Sequence, residues 1–163
     1  MQVNKEISFQ YKEFSGISDL PIGLQQIALQ AKEALASSYS PYSEFSVGAA
    51  VLLENGEVIL GSNQENGAYP SGLCAERVAL FYAGSKFPGV AVKAMAVAAS
   101  YKGNAIAEPV SPCGACRQVM IETQNTGKAP FTVIMVGENK IFTVEDVRFL
   151  LPFTFSNVNE SMK

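Results

Sequence analysis

The sequence predicts an α/β protein in which a mixed five-stranded sheet lies between helices, a three-layer α/β/α sandwich. Three observations lead to this prediction. A helical period of apolar residues comes before a β-hairpin, helical and extended apolar segments then alternate, and a strand pair with a short helix follows. A hairpin joined to strand–helix crossovers requires both antiparallel and parallel pairing, with helices covering the faces of the sheet.

The first helix, over residues 20–37, is predicted from apolar residues that recur every three or four positions between Leu20 and Leu35. The first two strands are predicted as a hairpin because Asn55-Gly56 is a typical two-residue turn. The other helices and strands are predicted from the spacing of apolar residues and from the turn residues between them. The strands are predicted at 45–53, 58–60, 92–99, 131–136 and 141–143, and the later helices at 74–85, 112–124 and 144–150.

The length of 163 residues suits one domain, predicted over residues 18–156 between an N-terminal extension (1–17) and a polar tail (157–163). No run of uncharged residues exceeds the twelve from Leu20 to Ala31, whereas a membrane span needs about 20 mostly apolar residues. The net charge of −3, with only twelve Lys and Arg, disfavours a long polyanion as partner. We therefore expect a cytoplasmic protein without nucleic-acid or membrane partners.

The cysteines predict a metal site. Cys113 and Cys116 are three residues apart at the start of a predicted helix, which places both thiols on one helical turn. Ser111 is a candidate cap for that helix, and Pro112 suits its first turn. The helix dipole favours the thiolate form there, and a C-x2-C pair is a common half of a zinc site.

A third ligand is expected from Cys74, which opens the other predicted helix at the site. The chain has three Cys and no His, so it lacks a fourth Cys or His ligand to close a structural zinc site. Three ligands and an open position, which takes water, make a catalytic zinc site. One Zn²⁺ per subunit is therefore expected. The alternative is a redox C-x-x-C pair with an unrelated third thiol.

Glu76 and Arg77 follow Cys74 directly along the chain. The Glu76 carboxylate is expected beside the metal as a catalytic acid and base, although a first-turn Glu also simply favours the helix dipole. Three thiolates on Zn²⁺ leave a charge of −1, which makes a bound water less acidic. Arg77 is a candidate to donate hydrogen bonds to the thiolates and offset that charge, the alternative being a surface charge.

These segments match the signature of zinc deaminases in its three-cysteine form, with a non-ligand Glu as acid and base. The matching residues are Cys74-Ala75-Glu76 and Pro112-Cys113-Gly114-Ala115-Cys116. Beyond the zinc motif, residues 20–155 resemble the cytidine deaminases, specifically their small homotetrameric form. The resemblance is carried by the segments 42–50, 63–77, 111–120 and 150–155.

The resemblance implies roles for the matched positions in binding a pyrimidine nucleoside. Asn63 and Glu65, with Gln64 between them, are expected to bind the sugar, the first two by hydrogen bonds to its hydroxyl. Phe45 is expected to contact the pyrimidine ring, and the backbone N–H of Ala75 to meet the pyrimidine carbonyl. A buried amide and carboxylate aimed at one hydroxyl would reject the free base, because both groups would stay unpaired.

The resemblance also implies a homotetramer with shared active sites, in which Phe155 reaches the active site of a neighbouring subunit. The expected reaction is hydrolytic deamination of cytidine and 2′-deoxycytidine to uridine and 2′-deoxyuridine, with release of ammonia in pyrimidine salvage. A related nucleoside deaminase, such as one for blasticidin S, shares the zinc motifs. A non-catalytic zinc or redox-thiol module is the alternative from another class.

Overall fold

One mixed sheet with helices on both faces is formed by residues 1–156, the part of the chain that the computed structural model describes. The helices are α1 (Ile22–Glu33), α2 (Ala75–Lys86) and α3 (Gly114–Gly127). The strands are β1 (Lys12–Phe14), β2 (Phe45–Leu53), β3 (Val58–Ser62), β4 (Val92–Tyr101), β5 (Asn104–Ala105), β6 (Thr132–Val136) and β7 (Ile141–Val144). The predicted tail, 157–163, lies outside the described residues.

The strand order is β1-β7-β6-β4-β2-β3, with β5 paired to β4. β4 and β6 are parallel, and the other pairs are antiparallel, which confirms the mixed sheet. The predicted count of five strands is wrong, because β1 and β5 add to it. Both are only two or three residues long, too short to give a period of alternating side chains.

The two faces of the sheet are packed against different helices. In β4, Ala94, Ala96 and Ala98 belong to the cluster that includes α1, whereas Met95 and Val97 belong to the cluster that includes α2 and α3. This alternation follows from the two-residue period of a strand. Small residues on the α1 side let that helix lie close to the sheet. The predicted three-layer sandwich is confirmed.

Two glycines allow the helices to approach the sheet. A Cβ at Gly48 would lie 2.2 Å from the carbonyl oxygen of Ala31 in α1. A Cβ at Gly61 would lie 2.5 Å from the carbonyl oxygen of Ala75 in α2. Both distances are far inside van der Waals contact. Glycine is therefore required on β2 and β3 where the helices cross them.

The first and the last predicted helices differ from the structure in helix type as well as in their bounds. α1 stops at Glu33 and continues as a 3-10 turn over Ala34–Ser37. The helix predicted at 144–150 is instead the end of β7 followed by a 3-10 helix at Val147–Leu150, here called the C-terminal 3-10 helix. Its N-cap, Asp146, accepts a hydrogen bond from the backbone N–H of Arg148. None of the helices in residues 1–156 is long and apolar enough to cross a membrane.

Part of the predicted N-terminal extension joins the sheet as β1, which pairs with β7. The Phe9 ring stacks on Phe149 with centroids 6.0 Å apart, and Tyr11 meets the edge of Phe142 at 5.0 Å. These contacts cover one edge of the sheet, which would otherwise expose unpaired backbone groups. The division at residue 18 stays a prediction.

Candidate active site

A cavity of about 640 Å³ lies where α2 and α3 begin. This volume falls in the range of small-molecule sites. Its wall combines apolar side chains with a group of chemically active ones. The lining includes Tyr42, Ser43, Phe45, Val47, Asn63, Gln64, Glu65, Tyr69, Cys74, Glu76, Arg77 and Cys113.

The three thiols converge at the edge of this cavity. Cys74 and Cys113 are the N-cap residues of α2 and α3, and Cys116 lies in the first turn of α3. The predicted capping of α3 by Ser111 is therefore wrong, because the helix starts two residues later. The Sγ of Cys113 lies 3.8 Å from that of Cys74 and 3.4 Å from that of Cys116. All three Sγ atoms lie within 4.8 Å of one another.

This spacing fits a zinc ion. A tetrahedral site with Zn–S distances of about 2.3 Å places its sulfurs about 3.8 Å apart. The two measured separations, 3.8 and 3.4 Å, are close to that value. Two helix N-termini also point their partial positive charge at the thiols, which stabilises thiolates. Both the geometry and the chemistry of the donors thus suit the metal.

The proton distribution among the thiols favours an anion at Cys74. Hydrogen bonding with Cys116, aided by Arg77 and Cys113, lowers the pKa of Cys74 to about 5. The pKa of Cys116 rises, first because its hydrogen bond to Cys74 holds the proton and second because the thiol is buried. Among these thiols, Cys74 at the N-terminus of α2 is therefore the one that most favours the thiolate form.

Glu76 lies in the first turn of α2 and lines the cavity. Only 4% of the residue is exposed. Burial raises the pKa of its carboxyl, and the nearby Cys74 thiolate adds to that rise. A carboxyl whose pKa is moved towards neutrality is suited to both accepting and donating a proton.

Arg77 turns its guanidinium towards the thiols. Its Nη2 donates to the Sγ of Cys74 at 3.7 Å, and this hydrogen bond raises the pKa of Arg77. Among residues 1–156, no acceptor reaches the buried Nε of Arg77. The side chain therefore lies beside the thiol cluster.

The side chain of Asn63 is held mainly by the backbone of β2. Its Oδ1 accepts from the N–H of Val47 at 2.8 Å and from the hydroxyl of Ser38 at 2.6 Å. Its Nδ2 donates to the carbonyl of Phe45 at 2.8 Å. An amide nitrogen carries two hydrogens, and within residues 1–156 the second hydrogen of Nδ2 has no acceptor.

Glu65 is fixed by the loop that precedes β2. Its carboxylate accepts from the Ser43 hydroxyl and from the backbone N–H of Tyr42 at 2.9 Å. The Ser43 hydrogen bond is the main reason that the pKa of Glu65 is lowered. Gln64 lines the same wall, but its amide donates to the carbonyl of Ser37 and the hydroxyl of Ser62, both at 3.1 Å.

The three other residues that were predicted to contact the substrate differ in their burial and in their position relative to the cavity. Phe45 is half-buried and lines the cavity. Ala75 is fully buried as the first residue of α2. Phe155 is 76% exposed and lies outside the cavity of its own chain, where its carbonyl accepts from Gln118 Nε2 at 2.7 Å.

Sequence reasoning missed three polar or aromatic residues of the cavity wall. Tyr42 and Tyr69 meet edge to face with ring centroids 5.9 Å apart. Ser43 anchors Glu65. All three lie inside the segments that carry the family resemblance, and that resemblance could have identified them as residues of the cavity wall. Their roles depend on contacts between two loops far apart in sequence.

Comparison with known proteins identifies the family. The model of the cytidine and deoxycytidylate deaminase zinc-binding region matches residues 23–139, most of the chain. The chain belongs to the cytidine deaminase family. It is 42% identical over 134 residues to a cytidine deaminase of Sporosarcina psychrophila, covering 82% of this chain and 91% of the relative. A cytidine deaminase of Halalkalibacterium halodurans is 41% identical, with 83% and 98% covered.

Solved structures of cytidine deaminases have the same fold. The crystal structure of the Burkholderia pseudomallei enzyme matches with a TM-score of 0.68 and 39% identity, over 80% of this chain and 97% of that one. The Mycobacterium tuberculosis enzyme matches with a TM-score of 0.65 and 30% identity, over 84% and 100%. The predicted resemblance to cytidine deaminases is confirmed, as is zinc as the metal of the domain.

Proposed function

We propose that the chain catalyses the hydrolytic deamination of cytidine and 2′-deoxycytidine to uridine and 2′-deoxyuridine, releasing ammonia in pyrimidine salvage. The observation that carries this proposal is the convergence of three thiols and a buried glutamate on one cavity of nucleoside size. The family of the chain and the printed activity of its relatives support it.

In this proposal Cys74, Cys113 and Cys116 hold the Zn²⁺. The ion, when bound, acts as a Lewis acid and makes a water molecule nucleophilic near neutral pH. Arg77 lowers the negative charge of the thiolates through its bond to Cys74. A less negative cluster keeps the water more acidic.

Glu76 moves the protons. It accepts a proton from the attacking water and delivers it to ring N3, which makes C4 more electrophilic as the C4–O bond forms. It then carries the hydroxyl proton of that adduct to the amino group, and the C4–N bond breaks to release ammonia. The burial of Glu76 supports this role, because its raised pKa lets one carboxyl serve as base and then as acid.

The substrate contacts are proposed on the cavity wall. The free donor of Asn63 and the anchored carboxylate of Glu65 bind the sugar hydroxyl, and Phe45 contacts the ring. The backbone N–H of Ala75 meets the pyrimidine carbonyl. Gln64 is also proposed in the sugar-binding segment, where its bonds to Ser37 and Ser62 support a role in fixing that segment.

The assembly proposed is a homotetramer in the cytoplasm, with residues 18–156 as the catalytic domain of each subunit. Phe155 would cover the base in a neighbouring subunit's cavity. Its exposed ring, outside the cavity of its own chain, supports this placement.

A substrate panel tests the function. Cytidine, 2′-deoxycytidine, cytosine and blasticidin S are compared at equal concentration by the change in ultraviolet absorbance and by ammonia release. We expect turnover of both nucleosides and none of cytosine, because cytosine lacks the sugar hydroxyl through which Asn63 and Glu65 are proposed to hold the substrate. Faster turnover of blasticidin S than of cytidine would assign the chain to that rival activity.

A further inference from the structure

Arg117 bonds both peptide carbonyls that flank the metal-site residue Cys113. Its backbone N–H donates to the Cys113 carbonyl at 2.9 Å, which is the first bond of α3. Its side-chain Nε donates to the Pro112 carbonyl at 2.8 Å. The Pro112 carbonyl precedes the helix, so only a group outside the helical ladder can satisfy it. Arg117 therefore fixes the peptide from which the Cys113 side chain projects.

The other end of the same guanidinium reaches the C-terminal 3-10 helix. Arg117 Nη1 donates to the carbonyl of Leu150, the last residue of that helix, at 3.0 Å. A guanidinium is planar and holds its donors in a rigid fork. Because one rigid group donates to both, the position of the Leu150 carbonyl is fixed relative to that of the Pro112 carbonyl.

The chain beyond Leu150 is held to α3 by the residue next to Arg117. Gln118 Nε2 donates to the carbonyl of Phe155 at 2.7 Å. Further along α3, Gln124 Nε2 donates to Asp146, the N-cap of the C-terminal 3-10 helix, at 2.8 Å. The helix α3 therefore holds both ends of the C-terminal 3-10 helix, through Gln124 and Arg117, and the chain that follows it, through Gln118.

We infer that Arg117 is a positioning residue that couples the metal site to residues 150–155, here called the C-terminal segment. The inference rests on the proposed function, in which Cys113 holds zinc. An ordered C-terminal segment keeps Cys113 in place for the metal, and a filled metal site in turn orders the segment. Such coupling is reciprocal, so each side must respond to a change in the other.

Zinc release tests one direction. The zinc-loaded enzyme is mixed with a colorimetric chelator, and the release rate is compared for wild type, Arg117→Met and Lys93→Met. Residues that orient metal ligands change metal affinity about 10- to 100-fold. We expect release from Arg117→Met to be at least about tenfold faster than from wild type. The control, which removes an exposed cation from β4, should release zinc at the wild-type rate.

Hydrogen exchange tests the other direction. Removing zinc should speed amide exchange of Phe149 and Leu151 in the wild type, because their N–H groups donate to the carbonyls of Asp146 and Arg148 on either side of the Leu150 contact. In Arg117→Met the exchange should already be fast, and zinc removal should add little. Arg117→Lys keeps the charge but lacks the second set of donors of a guanidinium. Its zinc-release and exchange rates should therefore fall between those of wild type and Arg117→Met. This variant also serves if the Met variant does not fold.

The inference is overturned if the Arg117 variants release zinc at the wild-type rate. It is also overturned if zinc removal leaves the exchange of Phe149 and Leu151 unchanged in the wild type, or speeds it equally in wild type and variants. Neither readout uses cytidine. A wild-type enzyme that binds zinc but does not deaminate cytidine would therefore defeat the proposed function and leave these two outcomes to decide the role of Arg117.

Discussion

Arg77 Nη2 donates to the Sγ of Cys74 at 3.7 Å across the first turn of α2. The two residues are three positions apart, a spacing that places side chains on the same face of a helix. The helix that supplies one thiol to the metal site thus also places a cation beside that thiol. Glu76 lies between the two in sequence, and its pKa responds to the charges of both.

Arg77→Gln should keep zinc but lose turnover. The variant removes the positive charge beside Cys74, and the more negative cluster makes the attacking water less acidic. We expect kcat for cytidine to fall about 10- to 100-fold, with zinc content per subunit unchanged. Arg148→Gln, a matched change outside the site, should keep wild-type kcat. Equal kcat for both variants would remove Arg77 from the chemistry.

Glu76→Gln should abolish most activity without loss of the metal. The amide keeps the volume of the side chain but cannot accept and return a proton. Proton transfer by a positioned side chain contributes about 10²- to 10⁴-fold, so kcat should fall by at least about 10². Glu33→Gln, an exposed change on α1, is the control. Wild-type turnover by a zinc-loaded Glu76→Gln would refute the proton role.

Gly48→Ala should destabilise the fold. The new methyl would lie 2.2 Å from the Ala31 carbonyl and 2.8 Å from the Leu35 nitrogen, both backbone atoms of the α1 region. Moving that backbone should cost about 3 kcal/mol or more. Gly84→Ala in α2 meets nothing within 4 Å and should instead stabilise by about 0.4–1 kcal/mol. Chemical denaturation of the two variants measures the contrast, and similar unfolding midpoints would contradict it.

Asp146 should make stability depend on acid pH. Its ion pair with Arg148, aided by Gln124, lowers its pKa to about 2 from the usual 3.8. A carboxyl whose pKa is lowered by folding stabilises the fold at pH values above its usual pKa. This contribution is lost as pH falls from about 4 towards 2. With allowance for the exposed guanidinium of Arg148, the contribution is about 1–2 kcal/mol.

The comparison that checks this is wild type against Asp146→Asn. The wild type should be the more stable at neutral pH, and the difference in free energy of unfolding should shrink by about 1–2 kcal/mol on acidification. The control Glu145→Gln alters an exposed neighbour, which pairs with Lys12 at the surface. A gap between Asp146→Asn and wild type that stays constant down to pH of about 2 would contradict the assignment.

The metal site was predictable because it is encoded locally. Cys74 and Cys113 lie at helix starts that turn residues and spacing indicate, and the count of three Cys and no His leaves an open site. The layers were predictable for a related reason, since the period of α1, the Asn55-Gly56 turn and the apolar run of β4 each lie within one segment.

The missed features depend on contacts between distant segments. β1 is three residues long and is a strand only because β7 lies beside it. The side chain of Gln64 donates towards Ser37 and Ser62, which no local pattern indicates. The bond from Arg117 to Leu150 spans 33 positions. Such contacts appear only once the whole chain is folded.

In the proposed function, zinc held by the three thiols is required for deamination of cytidine. This requirement is tested by following cytidine absorbance with the purified enzyme before chelation, after chelation and after stoichiometric Zn²⁺ is restored. We expect conversion to uridine, its loss as zinc is removed, and its recovery in proportion to zinc bound, up to one ion per chain. Cytidine turnover that persists at full rate in the zinc-free enzyme would contradict it.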